Sequence, residues 1–184
     1  MVLYQLVYSS MAAKPLGEQE LVRLVEQAHL FNRSEAITGI LFFSGSQFLQ
    51  VLEGEQSVIE RLYDHICQDP RHTDVKVLLA ASVLHRFFPA QGMGFYQVTS
   101  VALTRLIGYL DPQARATILP RTCDAHKVMT DLLCEFVEEQ TKVPVAWHRA
   151  ATGRLSSAAR SYYPHHEVKR EKNGLALPRG INLV

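Results

Sequence analysis

The chain has 184 residues, 47% of them hydrophobic and 20% charged, with a net charge of +1. That length suits one domain with an appendage, and the composition excludes a disordered or fibrous chain. The near-zero charge gives no global pull toward nucleic acid or anionic membrane, and the three cysteines, Cys67, Cys123 and Cys134, contain no CxxC pair and no disulfide framework.

Val2–Tyr8 is apolar on both faces, as a buried interior strand is. Lys14–Gly17 interrupts. Leu21, Leu24, Val25 and Ala28 then recur at helical spacing along one apolar stripe. Ile37–Phe43 and Gln47–Glu53 flank Ser44-Gly45-Ser46, a hairpin signal. Gly54 is expected to break the second of these strands. Val58, Ile59, Leu62, Tyr63 and Ile66 mark a second amphipathic helix, with Ser57 and Glu60 as its capping box. Asp69-Pro70 stops that helix. Val75–Leu84 reads as a strand and Gly94–Val98 as a last short one. The order βαββαββ predicts an α+β fold of ferredoxin-like plan, with two helices on one face of the sheet.

Beyond residue 99 the pattern is helical. Val101–Leu110 is one helix, and Asp111-Pro112 is expected to open another. Thr122 precedes a longer helix, whose apolar Val128, Met129, Leu132, Leu133, Phe136 and Val137 cover a wide face. That face is expected to pack on the other side of the sheet, a partner-binding face being the alternative. Wide apolar helices also point to a homo-oligomer. The organisation is therefore a domain over 1–98, a helical extension over 99–141 and a tail over 142–184. The tail holds eight Lys/Arg and two acids, so it carries +6 and the remainder −5. It has Pro and Gly but no sustained period, and reads as a solvated extension or a docking segment for an acidic surface. No apolar run approaches the ~20 residues of a membrane span. The N-terminus has no signal-peptide pattern. A cytoplasmic protein with free thiols follows. His165-His166 lacks ligand spacing, and no metal site is expected.

Three polar residues sit where a core should be. Alternation places Gln50 between Phe48 and Leu52 on one strand face. Tyr8 shares a face with Tyr4 and Leu6. Asn32 ends the first helix. Each has an ordinary structural reading by itself: a satisfied hydroxyl, a bulge amide, a helix cap. A buried amide without partners costs about 1–3 kcal/mol.

Five blocks carry a more specific signal: Leu6-Val7-Tyr8-Ser9-Ser10; Asn32 followed by Ile37-Thr38-Gly39-Ile40-Leu41; Phe48-Leu49-Gln50-Val51-Leu52-Glu53-Gly54; Asp69-Pro70-Arg71-His72; and Arg86-Phe87-Phe88 ahead of Met93-Gly94-Phe95. In this order, over residues 1–98, they resemble the BLUF family, flavin-binding sensors of blue light. The resemblance implies FAD held between the two sheet-covering helices, through Leu24 on one and Ile66 on the other. It implies Asn32 on the carbonyl edge of the ring, Tyr8 as electron donor and Gln50 as the amide between Tyr8 and the ring. Asp69, Arg71 and His72 would lie near the ribityl and phosphate end. Met93 would sense the amide and pass the signal on. The chain resembles short members of the family, which carry no output enzyme, so a separate downstream protein is expected. It departs from the pattern at Gln91, where many relatives have Trp, and at Phe31, a His in some; Trp147 lies in the tail.

A flavin-dependent redox enzyme on the same plan is the alternative. No G-x-G-x-x-G fingerprint, redox CxxC pair or Cys/His nucleophile arrangement supports it. An RNA-binding sheet is disfavoured too. Phe42 and Phe43 are present, but the basic-aromatic pattern is missing and the core is acidic.

Overall fold

A computed structural model describes residues 3–88, 92–115, 117–118 and 125–141. Gln91, Cys123, Trp147, His165, His166 and the whole basic tail lie outside the described residues. The elements are β1 (Leu3–Ala12), α1 (Glu18–Ser34), β2 (Thr38–Phe43), β3 (Gln47–Glu55), α2 (Gln56–Gln68), β4 (His72–Val83), β5 (Gly92–Gln97), α3 (Ser100–Leu110) and α4 (Ala125–Thr141). They build one five-stranded sheet in the order β4-β1-β3-β2-β5. Neighbours pair antiparallel except β2 and β5, which run parallel. The first four strands and two helices make the ferredoxin-like core, and β5 extends it at the β2 edge.

Both faces of the sheet are covered, which is why its inner strands read as continuous apolar runs rather than alternating ones. Leu6, Tyr8, Leu41, Phe43, Phe48 and Leu52 point to α1 and α2. Their strand neighbours Val7, Ile40, Phe42, Leu49 and Val51 point the opposite way, against Leu103, Leu106 and Leu110 of α3 and Met129, Leu133 and Phe136 of α4. Fully burying a side chain of this size contributes about 1.5–3 kcal/mol. The C-terminal helices thus pack on the sheet as their pattern predicts, with Leu103, Leu106, Leu110, Met129 and Leu133 facing inward. Among the described residues no helix is long and apolar enough to cross a membrane.

Three local expectations are corrected. Gly54 does not end β3, which continues to Glu55 with Gly54 opposite Tyr4. A Cβ there would sit 3.3 Å from Ile59 Cδ1, so the missing side chain lets α2 close on the strand. The proposed capping box is absent because α2 begins at Gln56 with Glu55 as N-cap. Ser57 Oγ donates to the Glu55 carboxylate at 2.7 Å, and Glu60 accepts from Gln56 Nε2 at 2.7 Å. Asp111 closes α3 instead of opening a helix. Its carboxylate accepts from Lys76 Nζ at 2.7 Å and from the Gln113 backbone N–H at 2.9 Å, and a turn follows. The strand limits also move: β4 begins at His72 rather than Val75, and β5 at Gly92 rather than Gly94.

Candidate functional site

A cleft between α1 and α2 opens onto the sheet. Leu24 and Ala28 of α1 and Leu62 and Ile66 of α2 form its walls; Leu41 and Phe48 form its floor. With its open mouth it spans about 350 Å³. Polar atoms enter at the inner end, where Tyr8, Gln50 and Asn32 also line it.

Strand register brings these residues together. Tyr8 on β1 lies directly opposite Gln50 on β3, and facing cross-strand side chains touch. The Tyr8 hydroxyl donates to Gln50 Oε1. Gln50 Nε2 donates to Met93 Sδ at 2.6 Å. Asn32, in the last turns of α1, donates to the same sulfur from Nδ2 at 3.5 Å. Met93 is in reach because β5 pairs with β2, placing it opposite Gly39, itself opposite Leu52. Tyr8, Asn32, Gln50 and Met93 are all buried, Tyr8 to 1% exposure. Burial pushes the Tyr8 phenol far above its ordinary 10, with smaller contributions from Tyr63, Cys67 and Asp69, so it stays protonated. The Tyr63 ring meets Tyr8 edge-on, 5.7 Å between centroids. Burial and a hydrogen bond with Cys67 push the Tyr63 phenol up to about 12.

The outer end is built on an irregularity between β1 and β4, where the register shifts between Ser9 and Met11 and Asp74 adopts a φ of +51°. Ser10 Oγ and His72 Nδ1 are 2.9 Å apart across this bulge, and the His72 ring lies 5.0 Å from that of Phe48. His72 Nε2 is buried without a hydrogen-bond partner. Burial holds the His72 pKa below its ordinary 6.5; Asp69 opposes this and Arg71 adds to it. Asp69 lines no part of the cleft. It grips Arg71, whose Nη2 reaches Asp69 Oδ2 at 2.6 Å and whose backbone N–H reaches Oδ1 at 2.8 Å. Burial would raise the Asp69 pKa, but the Arg71 hydrogen bonds and charge bring it below the ordinary carboxylate value.

Of the residues singled out in the sequence, Tyr8, Leu24, Asn32, Gln50, Ile66 and His72 line one cleft, with Met93 behind the amides. Asp69 and Arg71 sit outside it, at the rim. Sequence reasoning passes over Ser10, which holds His72, and His29, whose Nδ1 accepts from the Met93 backbone N–H at 3.4 Å. It also passes over the buried carboxylate of Glu53. That group accepts from Gln5 Nε2 at 2.6 Å and from the backbone N–H groups of Phe87 and Phe88, each at 3.0 Å. Burial raises the Glu53 pKa, while these hydrogen bonds and Arg86 oppose the rise. Arg86 donates to the Glu53 and Ala36 carbonyls and to Thr38 Oγ1. The available signal is a charged residue inside an apolar strand, matched by an arginine ahead of the last strand.

The fit to a flavin rests on these atoms. Two amides, Asn32 and Gln50, give their N–H groups to one thioether, a weak acceptor that a ring carbonyl would outcompete. The aliphatic walls suit a flat ring, and the free Nε2 of His72 suits a hydroxyl. Among the described residues there is no cluster of three His, Cys, Asp or Glu able to hold a metal ion.

The site is thus a phenol bonded to an amide at the inner end of an apolar slot. Residues 3–94 match the family model described as sensors of blue light using FAD, and the chain belongs to this BLUF family. It is 34% identical over 97 residues to the blue light- and temperature-regulated antirepressor BluF of Escherichia coli, covering 53% of this chain and 24% of that protein. It is 36% identical over 86 residues to the photoactivated adenylate cyclase subunit beta of Euglena gracilis, covering 47% of this chain and 10% of that one. The match therefore spans a quarter or less of these curated relatives. Among solved structures it resembles BlsA in its photo-activated state, with TM-score 0.55, 28% identity, and coverage of 77% of this chain and 99% of the other. It also resembles the BLUF domain of BlrP1, with TM-score 0.51, 33% identity, and coverage of 75% and 90%. BLUF domains are flavin-dependent photosensors, found both in antirepressors and attached to cyclases.

Proposed function

We propose that this chain is a blue-light switch that binds FAD in the α1–α2 cleft, turns over no substrate of its own, and signals to a separate cytoplasmic partner. The continuous chain of hydrogen bonds from Tyr8 through Gln50 to Met93 carries the reading. Bound flavin supplies a blue-absorbing excited state strong enough to oxidise a neighbouring phenol. Tyr8 would be the residue placed to give an electron to the excited ring and, through the Gln50 oxygen it already touches, its hydroxyl proton, both returning to Tyr8 as the ring reverts to its oxidised state. Glutamine carries a donor and an acceptor on one plane, so it relays the proton and returns rotated or as a tautomer. Asn32 would hold the carbonyl edge of the ring. If Gln50 turned, Nε2 would leave the Met93 sulfur and become available to the ring edge, where a new donor would redden the absorption. Met93 then repacks, a change its flexible thioether allows.

The test is a spectrum. Purified protein is illuminated with blue light without added reductant, and its absorption is followed through subsequent darkness. A reversible red shift is expected in wild type and none in Tyr8→Phe, which keeps the ring but has no hydroxyl proton. A colourless protein, irreversible bleaching, or a wild-type shift in Tyr8→Phe overturns the reading.

A further inference from the structure

The strand that carries Met93 is reached by a crossing. β4 ends at Val83 on one edge of the sheet, and β5 begins at Gly92 on the other edge. Four strand-to-strand steps of about 4.8 Å separate them, roughly 19 Å in all. On the way, Arg86, Phe87 and Phe88 are fastened to the end of the sheet formed by Gln5, Glu53 and Thr38. The centre of this fastening is the Glu53 carboxylate, a buried charge that takes no part in the chain from Tyr8 through Gln50 to Met93. Glu53 is 0% exposed. By alternation it shares the α3–α4 face of β3 with Val51, opposite the face of Gln50.

Glu53 Oε1 accepts from Gln5 Nε2 at 2.6 Å and from the Phe87 N–H at 3.0 Å. Oε2 accepts from the Phe88 N–H at 3.0 Å and from the Thr38 hydroxyl at 3.5 Å. These partners are all donors. An ionised carboxylate accepts at both oxygens, whereas an amide or a protonated acid would set a donor against a donor at one of them. Arg86 completes the arrangement from the same connection. It donates to the Glu53 backbone carbonyl, to Thr38 Oγ1 at 2.9 Å and to the Ala36 carbonyl at 2.7 Å. Two segments are held in this way. Thr38 is the register partner of Gly92, the residue before Met93. Ala36 has a φ of +54°, in the left-handed region that L residues disfavour, and it belongs to the turn in which the Ile37 N–H bonds the Asn32 carbonyl at 2.7 Å. The same charged group therefore fastens the segment that enters Met93 and the turn that follows Asn32, whose side chains meet at the sulfur.

We propose that Glu53 is a positioning residue: with Arg86 and Thr38 it clasps the β4–β5 connection, sets the register of β5 on β2, and so keeps the Met93 sulfur within reach of Gln50 Nε2 from the far side of the sheet. Its effect on the light response rests on the flavin reading of the cleft; its effect on β5 does not. The test compares full-length wild type with Glu53→Gln, which keeps the shape and gives up one acceptor oxygen. Amide hydrogen exchange is read residue by residue by NMR in the dark. Protection of β5 should fall at least about tenfold relative to the β1–β3 ladder. None of Glu53, Arg86 and Thr38 lines the cleft, so the variant should keep its flavin and its red shift. Its return in darkness should be at least about threefold slower, because the turned amide has lost its dark partner. A second variant, Gln5→Glu/Glu53→Gln, separates the clasp from plain bracing. Gln5 lies directly opposite Glu53, so the exchange restores a carboxylate–amide pair between β1 and β3 but moves the charge away from Phe87 and Phe88. It should behave like Glu53→Gln, and a return to wild-type protection and kinetics overturns the proposal. Should Glu53→Gln fail to fold, Arg86→Gln, at a half-buried position, should show the same loss in β5. Unchanged β5 protection in a folded variant overturns the proposal. A colourless wild type overturns the cleft reading alone, and the exchange comparison, which needs neither flavin nor light, still decides the clasp.

Discussion

Gln50 uses both ends of one amide, the oxygen for Tyr8 and the nitrogen for Met93. Replacing it with Leu preserves volume and removes both. The Tyr8 hydroxyl, on a residue 1% exposed, is then buried unpaired, at a cost of about 1–3 kcal/mol. Gln50→Leu should therefore lower the melting temperature, keep the flavin and lose the light-induced shift. A full reversible shift in this variant would show that the proton leaves Tyr8 by another route. His72 bears on stability through pH. Its folded-state pKa lies below the ordinary 6.5, so the unfolded chain takes up a proton first as pH falls. Its contribution is complete above pH 6.5 and is lost as pH drops toward the folded value, with a slope of at most about 1.4 kcal/mol per pH unit. Asp69 acts in the same sense at lower pH; Glu53, its pKa raised, slopes the opposite way just above its ordinary 4.5. His72→Gln should flatten the decline that sets in as pH falls below about 6.5. Melting curves at several pH values check this, and an unaltered pH profile would contradict it.

At the scale of elements, β2 is held by a close approach. A Cβ on Gly39 would fall 1.9 Å from the Val51 carbonyl oxygen of β3. Gly39→Ala should push β2, and β5 with it, away from β3. The expected cost is about 1–3 kcal/mol or more, together with poorer flavin retention. Gly108 in α3 has open space where a methyl group would go, with nothing within 4 Å, and Gly108→Ala should stabilise by about 0.5–1 kcal/mol. Thermal melts of both variants test the contrast; equal melting temperatures would contradict it. The elements are largely legible in the sequence because the apolar periods of α1, α2, α3 and α4 are strong. What the sequence obscures is the purpose of single residues rather than the existence of elements. Gly54 looks like a strand break, yet it makes room for Ile59. Asp111 looks like a helix start because Asp-Pro suits an N-cap, yet Lys76 of β4 holds it as a stop. Gln50 and Tyr8 stand out as polar residues in apolar strands. The Ser10–His72 contact does not, because it depends on a bulge in β1–β4 pairing, and pairing register is not written in a single strand.

At the scale of the molecule, the proposed switch would carry a turned amide's effect to α3 and α4 through the sheet. Met93 lies on β5, and the chain passes from β5 to α3 within three residues. Light should therefore change amide hydrogen exchange in α3 and α4. Met93→Ala should abolish that change while leaving the spectral shift, at a stability cost of about 2–5 kcal/mol for the cavity. An undiminished exchange difference in Met93→Ala would remove Met93 from the route.

The sheet order gives the two partners of this exchange unequal freedom. Gln50 stands on β3, laced to β1 on one side and β2 on the other, and displacing it would tear two ladders. Met93 stands on β5, one of the two edge strands, held among the described residues by a single ladder to β2. In the proposed switch a rotation at Gln50 would work like a key turned in a fixed post: the post would not yield, and the bolt free to slide would be the rim of the sheet.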